Sequence, residues 1–311
     1  MERPEGEVRG LGFEAYSRVG CFPRIPGIGF GVGTAWFGAG KGSADGVSRD
    51  LVDAVKTALE AGYRHLDNAE AYANEASVGV AIAESGISRN ELYICTKTGP
   101  GIKDIPGNFR LQLKKLGVKY VDLLLIHWPY DFGKDGKPSN EEAWKQLEIL
   151  KDEGLAKSIG VSNYRISDLK KTLAIARHRP VVNQIEYHPY LVKESEALIS
   201  FMKAEGIALE AYGPTSPVTK HTGGPIDPVL SKVTASVSER AGKKVEPSQV
   251  LLKLSSQLGA IVITTSGKRF RMEEQLAAGA IPDLTTEEVD DLKAAGAKDY
   301  KRAFMKHMES E

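Results

Sequence analysis

The stretch VDLLLIH, residues 121 to 127, decides how the chain is read. Its apolar centre has no polar break, the pattern of a strand covered on both faces inside a parallel sheet. Seven further runs resemble it: GIGFGVG (27 to 33), YRHLD (63 to 67), LYICTK (92 to 97), AKSIGVS (156 to 162), VVNQIEY (181 to 187), IALEAY (207 to 212) and AIVITT (260 to 265). Segments with helical spacing separate them. Leu51, Val55, Ala58 and Leu59 share one helical face, and Leu147, Ile149 and Leu150 follow Trp144 on another. Ser139 with Glu142, and Thr285 with Glu288, have capping-box spacing; Pro247 suits the first turn of SQVLLKLSSQ, where the N–H it lacks would be unused.

Eight such units over about 240 residues predict an α/β chain closed into a (β/α)8 TIM barrel. The competing architecture, an open doubly wound sheet, needs a G-x-G-x-x-G turn opening a helix. Gly27, Gly29, Gly31 and Gly33 alternate instead. They bare one face of their strand to a ligand or another backbone, or mark a tight bend into the loop. DFGKDGKPSN (131 to 140) and TSPVTKHTGGPIDP (215 to 228) read as loops following strands, on the face where a barrel encloses its substrate.

Composition excludes several classes. Hydrophobic residues are 41% and charged residues 26%, so a sizeable core is available. Lys and Arg (41) balance Asp and Glu (41), leaving no global field to recruit nucleic acid or an anionic membrane. Cys21 and Cys95 make no disulfide framework, which points to a reducing compartment. The N-terminus lacks a signal-type apolar region, and no run approaches the ~18 apolar residues of a membrane span. A cytoplasmic protein is expected. His178, His221 and His307 lack ligand spacing, so no metal is expected. His65 and His188 read as structural.

In a barrel, polar residues at the C-terminal strand ends are the ones to inspect. Asp67, Lys97, His127, Ser162, Asn163, Gln184 and Tyr212 fall there on successive strands, and Tyr72 lies five residues past Asp67. Asp67, Tyr72, Lys97 and His127 make a proton relay suited to carbonyl reduction. Buried Lys97 needs the pairing that Asp67 supplies. Its ammonium beside the phenol is expected to lower the tyrosine pKa from about 10, while His127 orients and polarises the carbonyl.

LDNAEAYANE, ICTK, LLLIHWP, IGVSN, VVNQIEYHP and EAYGP occur in this order, and together they resemble the aldo-keto reductases, nicotinamide-dependent (β/α)8 enzymes. The resemblance covers residue 26 to the C-terminus. DYKRAFMKHM and ITTSGKRFR look closest to a fungal branch reducing α-keto carbonyls such as conjugated polyketones, ketoamides and diketones. It implies Asp67, Tyr72, Lys97 and His127 as catalytic, with Tyr72 the general acid. It further implies Ser162, Asn163 and Gln184 at the nicotinamide carboxamide, Tyr212 under its ring, and Thr34 where backbone meets cofactor and substrate. Ser266, Lys268 and Arg271 match positions on the adenosine 2′-phosphate and adenine; Glu274 and Gln275 match the adenine end. A phosphate of about two negative charges wants cationic partners, so NADPH is expected over NADH. Trp36 and Trp128 are expected to line the substrate pocket along with His127.

The sequence departs from the family pattern in three places. Asn68 replaces a threonine beside Asp67, Thr265 replaces a lysine near the 2′-phosphate with Arg269 in reserve, and residues 1–25 diverge from the hairpin that plugs the barrel bottom in relatives. The expectation is a single domain over 26–311 including a C-terminal loop: a monomeric or weakly dimeric NADPH-dependent oxidoreductase acting on an aldehyde, ketone or α-dicarbonyl. His127 stands where the C=C-reducing variant of the family carries glutamate. The alternatives are an aldopentose reductase and a non-catalytic nucleotide-sensing subunit of the same fold.

Overall fold

The computed structural model describes residues 25–99, 103–129 and 138–309. Of the segment 1–25 only Ile25 belongs to them, and residues 131–137 of the first predicted loop also lie outside. Eight strands occur: β1 (Ile28–Gly31), β2 (His65–Asp67), β3 (Tyr93–Thr98), β4 (Val121–Ile126), β5 (Ala156–Ser162), β6 (Val182–Glu186), β7 (Ala208–Tyr212) and β8 (Ala260–Thr264). Each lies within a predicted run or one residue beyond it. All neighbours are parallel, and β1 pairs with β8, so the sheet closes in the order β1 to β8.

The helices are α1 (Arg49–Ala61), α2 (Glu75–Ser85), α3 (Ile105–Leu116), α4 (Asn140–Asp152), α5 (Ile166–Ile175), α6 (Glu196–Ala204), α7 (Ser216–Thr219), α8 (Asp227–Ala241), α9 (Pro247–Gln257), α10 (Arg269–Ala277) and α11 (Thr286–Gly296). The capping boxes at Ser139 and Thr285 are formed, and Pro247 opens α9. Leu51, Val55, Ala58 and Leu59 are buried as expected. Ile149 is not: it is 48% exposed. Five residues beyond Trp144 it has turned about 140° around α4, away from the barrel.

Two apolar layers hold the barrel. Outward-facing Phe30, Leu66, Ile94, Leu124 and Ile159 pack with helix residues such as Leu51, Phe109 and Trp144, while Tyr93, Cys95, Leu123, Leu125, Val182 and Ile261 fill the interior. Gly29 and Gly31 belong to that interior face. A Cβ on Gly29 would stand 2.6 Å from Ile263 Cδ1 and 3.0 Å from the His65 ring. The bare glycine face therefore admits the Ile263 and His65 side chains.

The simple alternation breaks after β7. The stretch read as a loop contains the single turn α7 and leads into α8, which packs with α9 and α11 around Leu230, Val237, Leu251 and Leu292 in a separate apolar cluster. Among the described residues no helix is long and apolar enough to cross a membrane.

Candidate active site

Asp67 ends β2 and Lys97 lies one residue before the end of β3, so both project at the C-terminal mouth of the barrel. Lys97 Nζ donates to Asp67 Oδ1 at 2.6 Å and to the Asn68 carbonyl at 2.9 Å, and reaches the Tyr72 hydroxyl at 3.4 Å. Tyr72 closes a one-turn helix over Glu70–Tyr72, which Ala73 terminates in the left-handed region at φ 52°. Gly33 makes room for the phenol: a Cβ there would stand 2.9 Å from Tyr72 Cζ. Directly after β4, His127 meets the Tyr72 ring edge-on, with centroids 5.5 Å apart at 81°, and its other neighbour is Trp128 at 4.7 Å. The structure thus brings Asp67, Tyr72, Lys97 and His127 into one cluster.

Charge is distributed unevenly in this cluster. Burial opposes the Lys97 ammonium, but the Asp67 carboxylate, then Tyr72 and Cys95, outweigh it and hold its pKa above the ordinary lysine value. Burial drives His127 well below the usual histidine range, and the Lys97 charge pushes the same way, so its imidazole is neutral and has one N–H to donate. For Tyr72 the sequence-based expectation is reversed: its pKa is pushed up to about 12 by burial, and Lys97 only partly offsets this. Exclusion of water from the phenol outweighs one ammonium at 3.4 Å.

Polar groups continue around the mouth. Ser162 Oγ donates to the Gln184 carbonyl at 2.7 Å. Asn163, left-handed at φ 58°, donates from Nδ2 to the His127 carbonyl at 2.9 Å and accepts the Tyr212 hydroxyl at 2.9 Å on Oδ1. Gln184 Nε2 donates to Asp67 Oδ1 at 2.9 Å and to Glu210 Oε2 at 2.8 Å. Asn68 does not touch the Asp67 carboxylate: its Nδ2 donates to the Cys95 and Leu66 carbonyls, stitching β2 to β3.

Past β8, Ser266 Oγ accepts the Lys268 N–H at 3.0 Å, and Lys268 stands at the N-terminus of α10 with Arg271 in its first turn. Both side chains are exposed, and neither forms an ion pair among the described residues. Arg269 is instead bound to Glu60 and Glu273, at 3.0 and 2.9 Å, so it is no free reserve of charge. The Glu274 carbonyl accepts from Gln249. Gln275 is turned inward, accepting from the Tyr63 hydroxyl at 3.1 Å and donating to the Thr265 carbonyl at 3.3 Å. Thr34 is exposed in the one-turn helix after β1, and Trp36 from the same turn packs toward Gly267.

Several residues of the site have no signal in a linear reading. Phe37, 60% exposed, lies 6.2 Å from Tyr72. Glu186 accepts the N–H groups of Ala303 and Phe304, both at 2.9 Å. That anchors the C-terminal segment, which sets Phe304 edge-on to Tyr212 and His307 against the Asn163 carbonyl. Among the described residues two groups bring three metal-type donors within 4.8 Å of one another, Glu186 with His188 and His221, and Asp67 with Cys95 and Glu210. Each already holds a cationic side chain at a carboxylate, Arg302 at 3.9 Å from Glu186 and Lys97 at 2.6 Å from Asp67.

A closed parallel barrel thus gathers an acid, a lysine, a phenol and an imidazole at its mouth. Residues 29–297 match the aldo/keto reductase family, and the chain belongs to it. It is 40% identical over 287 residues to an NAD/NADP-dependent indole-3-acetaldehyde reductase of Schizosaccharomyces pombe, covering 92% of this chain and 97% of that one. An NADPH-dependent alpha-keto amide reductase of Saccharomyces cerevisiae is 35% identical over 278 residues, covering 88% of each chain. The crystal structure of an aldo/keto reductase from Brucella melitensis superposes with a TM-score of 0.72 at 35% identity, covering 88% of this chain and 96% of that one.

Proposed function

We propose that this chain is an NADPH-dependent carbonyl reductase acting on an aldehyde, a ketone or an α-dicarbonyl, with Tyr72 as the proton donor. The observation that carries the reading is the Tyr72 hydroxyl, 3.4 Å from Lys97 Nζ, with its ring edge-on to His127 at the mouth of the barrel.

The residues present fit a nicotinamide dinucleotide phosphate. Ser162, Asn163 and Gln184 offer amide and hydroxyl groups suited to a carboxamide, Tyr212 offers an aromatic face, and Lys268 with Arg271 offers exposed cations with no acidic partner among the described residues. When bound, the cofactor supplies hydride to the carbonyl carbon. Tyr72 gives its hydroxyl proton to the oxygen, which becomes the alcohol. The phenolate left behind is stabilised by the adjacent ammonium of Lys97, itself held by Asp67. His127, neutral, donates a hydrogen bond to the same oxygen and polarises the carbonyl. A nascent alkoxide is far more basic than a phenolate, so a phenol with a pKa of about 12 still gives up its proton downhill.

The names of the two fungal relatives support an aldehyde or α-keto substrate. The test is NADPH oxidation by the purified protein against isatin, an α-diketone, ketopantoyl lactone, xylose and an aromatic aldehyde. Preference for the dicarbonyls supports the α-keto reading, preference for xylose moves the assignment to a sugar reductase, and absence of turnover on all five contradicts it.

A further inference from the structure

Glu210, in the middle of β7, points into the barrel and is fully buried beneath the candidate site. The mechanism above does not use it. Facing it are His65 from β2, with Nε2 3.7 Å from Glu210 Oε1, the Asp67 carboxylate and the Cys95 thiol, whose donor atoms lie within 4.8 Å of its own, and the Gln184 amide. The charged groups that act on it are the Asp67 carboxylate and the Lys97 ammonium, which is directed to Asp67. Glu210 Oε1 is buried with no hydrogen-bond partner among the described residues.

The orientation of Gln184 follows from this arrangement. Its amide meets two oxygens at one end, Asp67 Oδ1 at 2.9 Å and Glu210 Oε2 at 2.8 Å. Since Asp67 Oδ1 already accepts from Lys97, that end is the NH2 group. Both amide hydrogens are thereby drawn inward, leaving the carbonyl oxygen as the atom that accepts. We propose that Glu210 is a positioning residue: by taking the second hydrogen of Gln184 it locks the amide so that its carbonyl oxygen receives the N–H of a nicotinamide carboxamide. The inference rests on the nicotinamide reading above. Burial, reinforced by the Asp67 charge, pushes the Glu210 carboxyl well above the usual carboxylate range and so favours its neutral form, whose carbonyl oxygen still accepts. Glutamine at 210 reproduces that state, whereas methionine fills the space with no acceptor.

The test compares binding of NADP+ and of its 3-acetylpyridine analogue, which has a methyl ketone in place of the carboxamide and so lacks the N–H. Affinities are read by quenching of protein fluorescence, without turnover. Wild type is expected to favour NADP+. Glu210→Met should weaken NADP+ about tenfold, the scale of one misplaced buried hydrogen bond, while changing the analogue little, and Glu210→Gln should restore discrimination. Equal loss for both nucleotides in Glu210→Met, or no loss for either, overturns the proposal. Should the methionine variant not fold, Glu210→Gln alone decides, since loss of discrimination there contradicts the acceptor role. Equal affinity of wild type for the two nucleotides removes the Glu210 role but leaves the reductase reading intact. Failure of wild type to bind NADP+ removes both.

Discussion

Lys97 Nζ lies 2.6 Å from Asp67 Oδ1, and the two side chains are 0% and 4% exposed. An ion pair so enclosed makes each partner depend on the other, because either one alone is an uncompensated charge in a medium that solvates it poorly. Asp67→Asn is expected to destabilise the fold by about 3–5 kcal/mol in urea titrations and to lower kcat as well. An unchanged midpoint would mean that Lys97 finds its compensation elsewhere.

The pH dependence of stability isolates His65. Burial lowers its pKa to about 4 in the folded protein, against 6.5 for an ordinary histidine. Between these values the unfolded chain binds the extra proton, so this contribution to stability is complete above 6.5 and is lost as pH falls toward 4. Relative to His65→Gln, the wild type should lose about 3 kcal/mol more on going from pH 7 to pH 4. Parallel urea curves for the two proteins across that window would contradict the shift.

Gly33 tests placement of the phenol. A methyl group there would stand 2.9 Å from Tyr72 Cζ and 3.1 Å from its hydroxyl, so Gly33→Ala must displace the ring or the backbone beside it. The expected result is a fall in kcat of at least about tenfold, with a stability loss of about 1–3 kcal/mol from overpacking. Unaltered kcat would show that the phenol tolerates displacement.

Lys268 and Arg271 bear on cofactor choice. Lys268→Ala is expected to weaken NADPH by about 10- to 100-fold, the scale of a charge-assisted hydrogen bond, and to leave NADH nearly unaffected. Binding titrations with both nucleotides check it, and equal losses remove the 2′-phosphate role.

Much of this architecture is legible in the sequence because parallel strands buried on both faces must be apolar throughout, as VDLLLIH is, and because strand ends are where such a barrel displays polar groups. Ile149 is not legible in this way, because an apolar residue adjacent to a helical stripe reads like part of it. The direction of the Tyr72 shift is not legible either: the ammonium beside it is visible in the motif, but the degree of water exclusion is a property of the closed barrel. Glu210 escaped for a related reason. In IALEAY it looks like one polar residue in an apolar run, and only the register that sets Gln184 opposite Glu210 brings it to the amide. Glu186 likewise gains its meaning from Ala303 and Phe304, 117 and 118 residues away in sequence.

The most direct test of the account is Tyr72→Phe, with kcat for NADPH oxidation and the Kd for NADPH measured on the same preparation. The substitution removes one hydroxyl and leaves the ring that packs on Gly33 and His127. The account predicts a fall in kcat of about 10²- to 10⁴-fold with Kd nearly unchanged. Turnover within a few-fold of wild type would contradict it and place the proton donor elsewhere.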